Sequence, residues 1–183
     1  MPGIYLASKS PRRKEILESL KVDYKVLNYP HDESSPANSE SAFEFIERNT
    51  KEKSLSAFAY LQENEMQILP ILTADTLVSL DDRIFGKPDN KDHAISMLLE
   101  LSGQYHSVIS CVAIGVLDKT KSDTVNFNID IVETKVLFKT LTAYECKKYW
   151  ETKEPIDKAG SYGIQGIGAV SYTHLTLPTT PYV

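Results

Sequence analysis

A mixed α/β fold is what the sequence predicts, and three observations predict it. Short apolar runs with strand character take turns with segments whose apolar residues recur every three or four positions. The 183 residues suffice for one sizeable core or two small lobes. No linker, repeat or low-complexity segment divides the chain into independent domains.

Ile4 to Ala7 is a short strand, Ser8 to Ser10 its loop, and Pro11 to Lys14 the start of a helix. Ser10 suits the N-cap and Pro11 the first helical position, where a missing N–H is harmless. Ile16, Leu17 and Leu20 supply the apolar face. Arg12 and Arg13 oppose the positive end of the helix dipole, a local conflict that hints at function. Free N–H groups beside them suit an anion; a solvated basic turn is the plainer alternative. Val22 to Leu27 alternates as a second strand, and 29–39 is a polar, proline-containing loop that carries Asp32 and Glu33. Ser41 and Glu44 are spaced as a capping box for a helix that runs to about Gln62. Phe43, Ile46, Thr50, Ala57 and Leu61 share its inner face, and Lys53 falls there too. Lysine is rarely buried unpaired, so Lys53 either snorkels to the edge or reaches an anionic ligand.

Gln67 to Ser79 is the most apolar run and reads as a central strand. Asp75 lies inside it, flanked by Leu72 and Leu77, and a carboxylate there is costly unless paired or metal-bound. Asp81 and Asp82 make a turn, and Arg83 to Phe85 pairs back as a hairpin. Gly86, Lys87 and Pro88 follow; the upstream glycine and downstream Ser/Thr of a P-loop are missing. Asp89 to Leu101 is a helix with Gly103 placed to end it. His106 has no partner in sequence that suggests chemistry and takes a packing role. Val108 to Leu117 is a buried strand. Thr124 to Phe138 is a long strand whose alternation slips phase after Ile131, the mark of a bulge or of passage from one lobe to another. Thr142 and Glu145 form a second capping box, and that helix runs to Lys153, ahead of Pro155. Its Tyr144, Tyr149 and Trp150 read as packing rather than as a base-stacking platform. Residues 171–183 carry no Asp, Glu, Lys or Arg and fit neither a helix nor a cleanly alternating strand, so the domain is expected to end at Val170 with an atypical tail beyond.

Composition narrows the function classes. Hydrophobic content of 42% and charged content of 25% are ordinary for a globular protein. The net charge of −5, without a basic block, argues against a nucleic-acid surface. Cys111 and Cys146 lack metal-ligand spacing and read as buried free thiols of a reducing compartment. No apolar run is long enough for a signal peptide or a membrane span, so a cytoplasmic location is expected.

The densest stretch is Glu154 to Ala169, which holds four of the eight glycines at Gly160, Gly163, Gly166 and Gly168. Asp157, Lys158 and Gln165 stand among them. Glycines this close let backbone N–H groups converge, and a lysine entering such a loop suits a phosphate. On composition alone the stretch is equally an ordinary turn-rich connection.

As a string, EPxDKAGxYGIQGxGA resembles the signature of the Maf family of nucleoside-triphosphate pyrophosphatases. SxSPRR at Ser8 to Arg13, the EK context of Lys53, ADT at Ala74 to Thr76 and GKP at Gly86 to Pro88 are similar to that family's other motifs. The resemblance covers Ile4 to Val170. It implies an inosine-triphosphatase-like fold of the Maf/Ham1 type, an elongated mixed sheet with flanking helices in two lobes around a cleft. It implies hydrolysis of a nucleoside triphosphate at the α-phosphorus, which calls for charge neutralisation, a divalent cation (Mg²⁺ or Mn²⁺) and an activated water. Carried over residue by residue, Asp75 is the catalytic base and, with Glu33, a metal ligand. Ser8, Arg13, Lys53, Lys87 and Lys158 bind the triphosphate. Arg12, Thr76 and Gln165 set base specificity, in the combination of the dTTP/UTP-hydrolysing subgroup. Gln165 both gives and accepts a hydrogen bond, which suits a uracil or thymine edge. The readings kept beside this are action on 7-methyl-GTP or another base, and a non-enzymatic nucleotide-binding regulator of cell division. Family members are commonly homodimers, and that expectation comes with the resemblance.

Overall fold

The computed structural model describes residues 3–32, 34–81, 83–118, 120 and 124–176. In chain order the elements are β1 (Ile4–Leu6), α1 (Pro11–Ser19), β2 (Tyr24–Val26), α2 (Ala42–Glu63), β3 (Ile71–Leu80), β4 (Arg83–Phe85), α3 (Lys91–Leu101), β5 (Tyr105–Asp118), β6 (Thr124–Phe138), α4 (Ala143–Glu151) and β7 (Tyr172–Thr176), with short 3₁₀ turns between α4 and β7. The architecture is mixed α/β: a seven-stranded sheet in the order β2-β1-β3-β5-β6-β7, with β4 beside β3, and four α-helices. β1 runs parallel to β2 and β3, whereas β4 and β7 run antiparallel to β3 and β6. The chain forms two compact units, Met1–Asp75 with Cys111–Ile131, and Thr76–Ser110 with Val132–Val183.

In the first unit, α2 supplies most of the helical side of the core. Ile46, Ala57, Phe58 and Leu61 are buried, and Phe58 and Leu61 pack in one cluster with Tyr5 and Ile71 from the strands and Leu27 just after β2. Burying each of the larger aliphatics stabilises the fold by about 1.5–3 kcal/mol. The Ser41–Glu44 capping box forms as the sequence predicts, with both reciprocal bonds. Ile46, Thr50, Ala57 and Leu61 are buried on the inner face as the periodicity predicts; Phe43, in the first turn, stays exposed, and Phe45 is buried instead. In α1 only Leu17 is buried; Ile16 and Leu20 remain 56% and 66% exposed, against the apolar face expected for them. Ser10 occupies the N-cap position but makes no side-chain cap; the Ser8 hydroxyl takes the Ser10 N–H instead (3.2 Å). Cys111 is buried and free.

In the second unit, α3 and α4 pack together over a core that includes Val78, Phe85, Leu98, Val136, Phe138 and Tyr162. Asn90 caps α3 through the His93 N–H (2.9 Å), so the helix begins at Lys91, two residues after the expected start at Asp89, and Gly103 takes φ +70° just past its end. Thr142 and Glu145 complete the second capping box. His106 is 2% exposed; its Nε2 bonds the Tyr162 hydroxyl (2.7 Å), and its ring meets Phe138 and Tyr162 edge to face. Burial pushes its pKa down to about 4, and the Gln104 backbone offsets only part of that, so it is a neutral packing histidine as expected. Cys146 is buried and free. The expectation that nothing regular follows Val170 is corrected by β7, which pairs with Lys135 to Phe138 of β6 across a register shift at Leu137/Phe138. Among the described residues no helix is long and apolar enough to cross a membrane.

Candidate active site

In the first unit the strand ends and helix starts gather a charged cluster. β1 delivers Ser8, and the first turn of α1 delivers Arg13, whose Nη1 donates to the Ser8 hydroxyl (2.9 Å). Burial lowers the Arg13 pKa, and the negative charge of Asp75 opposes that shift. From α2, Asn49 and Lys53 lie one turn apart on the same face and both reach Asp75 at the end of this unit's part of β3. Lys53 Nζ pairs with Asp75 Oδ2 at 2.8 Å, with the two side chains 13% and 23% exposed. Asn49 Nδ2 donates to the same oxygen. The costly strand aspartate therefore has its partner, and the lysine on an inward helix face has its reason. Arg12 is half-buried and makes no hydrogen bond or ion pair with the described residues. Glu33 lies outside the described residues.

Asn49 was not legible as a site residue. It is 3% exposed, and a polar residue one turn before Lys53 on the buried face was the available signal. The loop before α2 contributes a second polar cluster: Tyr29 donates to the Lys53 carbonyl (2.7 Å), and Ser34 and Arg48 both bond Glu52.

In the second unit, Thr76 follows Asp75 directly and its hydroxyl bonds that of Ser110 on β5 (3.1 Å). Lys87 is exposed after β4. The Gly160 N–H donates to the Gly86 carbonyl (3.0 Å), which ties the glycine-rich stretch to the Gly86–Pro88 turn. Lys158 pairs with Asp157. Beyond them the chain turns through Gly163 to Gly168, and Gln165 stands exposed on that turn with no hydrogen bond to any described residue. Glu154 and Tyr149 bond the turn's backbone: Glu154 accepts from Ile167 N–H (2.9 Å), Gly168 N–H (3.1 Å) and the Tyr149 hydroxyl (2.8 Å), and Tyr149 Oη accepts from Gly163 N–H (3.1 Å). From sequence Tyr149 takes a packing role and Glu154 none, because side-chain bonds to loop backbone leave no periodic trace.

Among the described residues no group of three or more His, Cys, Asp or Glu is arranged to hold a metal ion. Asp75 is a hard oxygen donor, of which ions such as Mg²⁺ take one or two and complete their shell with phosphate oxygens and water; the cationic side chains beside it suit the phosphate and not the ion. This donor set does not suit zinc or another thiolate- or imidazole-seeking ion.

Comparison with known proteins places this geometry in context. The family model described as Maf-like protein matches residues 3–175, so the match runs past Val170 and takes in most of β7. The dTTP/UTP pyrophosphatase of Aliivibrio fischeri is 39% identical over 165 residues, covering 90% of this chain and 82% of its own. Relatives of the same description from Alkalilimnicola ehrlichii and Photorhabdus laumondii are 39% and 40% identical over 175 and 166 residues, covering 95% and 91% of this chain and 82% and 79% of theirs. Among solved structures, a nucleoside-triphosphatase / dITP/XTP pyrophosphatase from Mycobacterium abscessus aligns over 74% of this chain and 73% of its own, with a TM-score of 0.44 and 15% identity.

Proposed function

The chain belongs to the Maf-like family, and from that premise we propose that it is a nucleoside-triphosphate pyrophosphatase that converts dTTP and UTP to the monophosphate and pyrophosphate, clearing nucleotides from the pool. The observation that carries the reading is Asp75, a strand carboxylate held on one oxygen by Lys53 and Asn49, with Arg13 of the SPRR motif near enough to feel its charge. A carboxylate fixed beside cationic groups is the arrangement that phosphoryl chemistry needs, since the groups that stabilise transferred charge must be in place before the reaction.

In this mechanism water attacks the α-phosphorus, the bond from that phosphorus to the bridging oxygen of the β-phosphate breaks, and pyrophosphate leaves. Asp75 accepts the proton that the water gives up. Lys53 and Asn49 orient the Asp75 carboxylate. Ser8, Arg13, Lys53, Lys87 and Lys158 bind the triphosphate; Arg12, Thr76 and Gln165 select the base. Asp75, with Glu33, would hold a divalent cation, Mg²⁺ or Mn²⁺. When bound, that ion supplies charge neutralisation and acidity for the attacking water. The Gln165 amide offers a donor and an acceptor side by side, matched to the N3–H and adjacent carbonyl of uracil or thymine. A polar site built for that edge leaves unpaired groups when a purine enters, so discrimination is large. A homodimer and a cytoplasmic location belong to the same proposal; sedimentation of the purified chain tests the first.

The test is product analysis with a panel of dTTP, UTP, CTP, GTP and 7-methyl-GTP in the presence of Mg²⁺ or Mn²⁺. Pyrophosphate and monophosphate should appear, fastest from dTTP and UTP. Orthophosphate with a nucleoside diphosphate would place attack on the γ-phosphorus and end the reading. A purine at the top of the ranking would end only the base assignment.

A further inference from the structure

Gln165 is held only through its backbone: its side chain is exposed and has no hydrogen-bond partner among the described residues. What holds that backbone is one carboxylate and one phenol. Tyr149, on the last turn of α4 and 8% exposed, accepts the Gly163 N–H on one side of Gln165. Glu154 accepts the Ile167 and Gly168 N–H groups on the other side, and the Tyr149 hydroxyl donates to Glu154, so the two grips are one unit. Burial alone would raise the Glu154 carboxyl, but the Tyr149 hydroxyl, the two backbone N–H groups and the charge of Lys158 together outweigh it and hold Glu154 below its usual range. Bonds to an ionised acceptor are the stronger kind. The turn is shaped around this pair. Gly166 takes φ +101°, and a Cβ there would stand 2.7 Å from Glu154 Oε2; a Cβ on Gly168 would meet Tyr149 Oη and the Gly163 carbonyl (2.6 Å).

We propose that Glu154 and Tyr149 are positioning residues for base recognition: together they clamp the Gly163–Gly168 turn so that Gln165 presents its amide edge in register with a pyrimidine. This rests on the dTTP/UTP reading given above. The physical reason is tolerance. Paired hydrogen bonds to a base edge discriminate only while donor and acceptor are held within a fraction of an ångström, and a side chain without partners of its own inherits that accuracy from its backbone. The clamp is remote from Asp75 in sequence; Glu154 feels the charge of Lys158, and Tyr149→Phe leaves that charge pair in place, so the loss it causes should fall on base selection and not evenly on the reaction.

The experiment uses the full chain with Mg²⁺ and two variants. Tyr149→Phe keeps the ring but removes the hydroxyl that links Gly163 to Glu154. Glu154→Gln keeps the shape, but its amide nitrogen cannot accept an N–H. For wild type and both variants, kcat/KM is measured for dTTP, UTP and GTP, and hydrogen exchange is followed at the amides of Gly163, Ile167 and Gly168. The dTTP-to-GTP ratio should fall by about tenfold or more, roughly what one lost hydrogen bond in a polar recognition site removes. The loss should lie in dTTP and UTP turnover, with GTP changed little, and the loop amides should exchange faster. Parallel loss for all three nucleotides would assign the pair to the fold or the chemistry and overturn the proposal. So would an unchanged ratio, with or without faster exchange. A wild type without pyrimidine preference sinks the substrate assignment instead; a different preferred base that both variants cease to favour keeps the clamp and changes only the base it serves.

Discussion

His106 makes stability depend on pH in a calculable way. In the folded chain its ring is buried against Phe138 and Tyr162 and its pKa is pushed down to about 4, against 6.5 in an unfolded chain. Between those two values the unfolded chain binds a proton that the folded chain refuses. The contribution is therefore present above pH 6.5 and is lost as pH falls toward 4. At about 1.4 kcal/mol per pH unit the full loss is about 3 kcal/mol, and about 2 kcal/mol of it is gone by pH 5. His106→Gln removes the titrating ring while leaving an amide able to bond Tyr162. The variant should be less stable than wild type at pH 7, and the gap should narrow by about 2 kcal/mol at pH 5. Urea unfolding at pH 7, 6 and 5, followed through the single tryptophan, Trp150, measures both. Staying above pH 4.5 keeps most carboxylates ionised in both states. A gap that stays constant or widens as pH falls would show that His106 is not buried neutral, and the reasoning would fail.

Three further outcomes follow from the same structure. Asp75→Asn should lower kcat by at least ~10², the lower end for loss of a general base, with an unchanged circular dichroism spectrum; near wild-type turnover would move the proton acceptor elsewhere. Lys53→Met leaves a half-buried carboxylate without its cation and should remove roughly 2 kcal/mol of stability, while an unchanged urea midpoint would mark the pair as energetically neutral. Thr142→Ala breaks the α4 capping box and should cost about 1 kcal/mol, seen as a fall of about 2–4 °C in Tm; a Tm that does not move would mean the helix start is fixed by packing alone.

Much of the fold was legible because it is written in local chemistry. Both capping boxes form with their reciprocal bonds, since the residues involved are three apart and need nothing else. The β3–β4 hairpin was visible in its turn residues, and the phase slip after Ile131 falls where β6 passes from one unit to the other. Asp75 and Lys53 were each flagged as needing a partner, and each turned out to be the other's. That pairing spans β3 and α2, so the sequence showed the two needs without joining them. Phe43 is in phase with the buried Thr50 and Leu61 but stands in the first turn of α2 and stays exposed, which a periodic count alone does not show. Ile16 and Leu20 follow the helical period but stay exposed. β7 has a weak pattern because a short strand takes its stability from pairing with β6 rather than from its own residues. Asn49 and Glu154 went unread, and Tyr149 read only as packing, because their bonds join side chains to a distant carboxylate or to loop N–H groups, and neither kind repeats along a chain.

The two compact units are braided rather than laid end to end: the chain passes between them after Asp75, after Ser110 and after Ile131. For anyone recombining relatives of different base preference, no single crossover can exchange one unit whole. A transplant of Thr76 and Gln165 with everything that supports them needs three breakpoints, each inside a strand. The first falls between the residue assigned to chemistry and a residue assigned to base choice. Drift in nucleotide preference within such a scaffold is then expected to proceed by point substitution around a fixed Asp75, not by shuffling of modules.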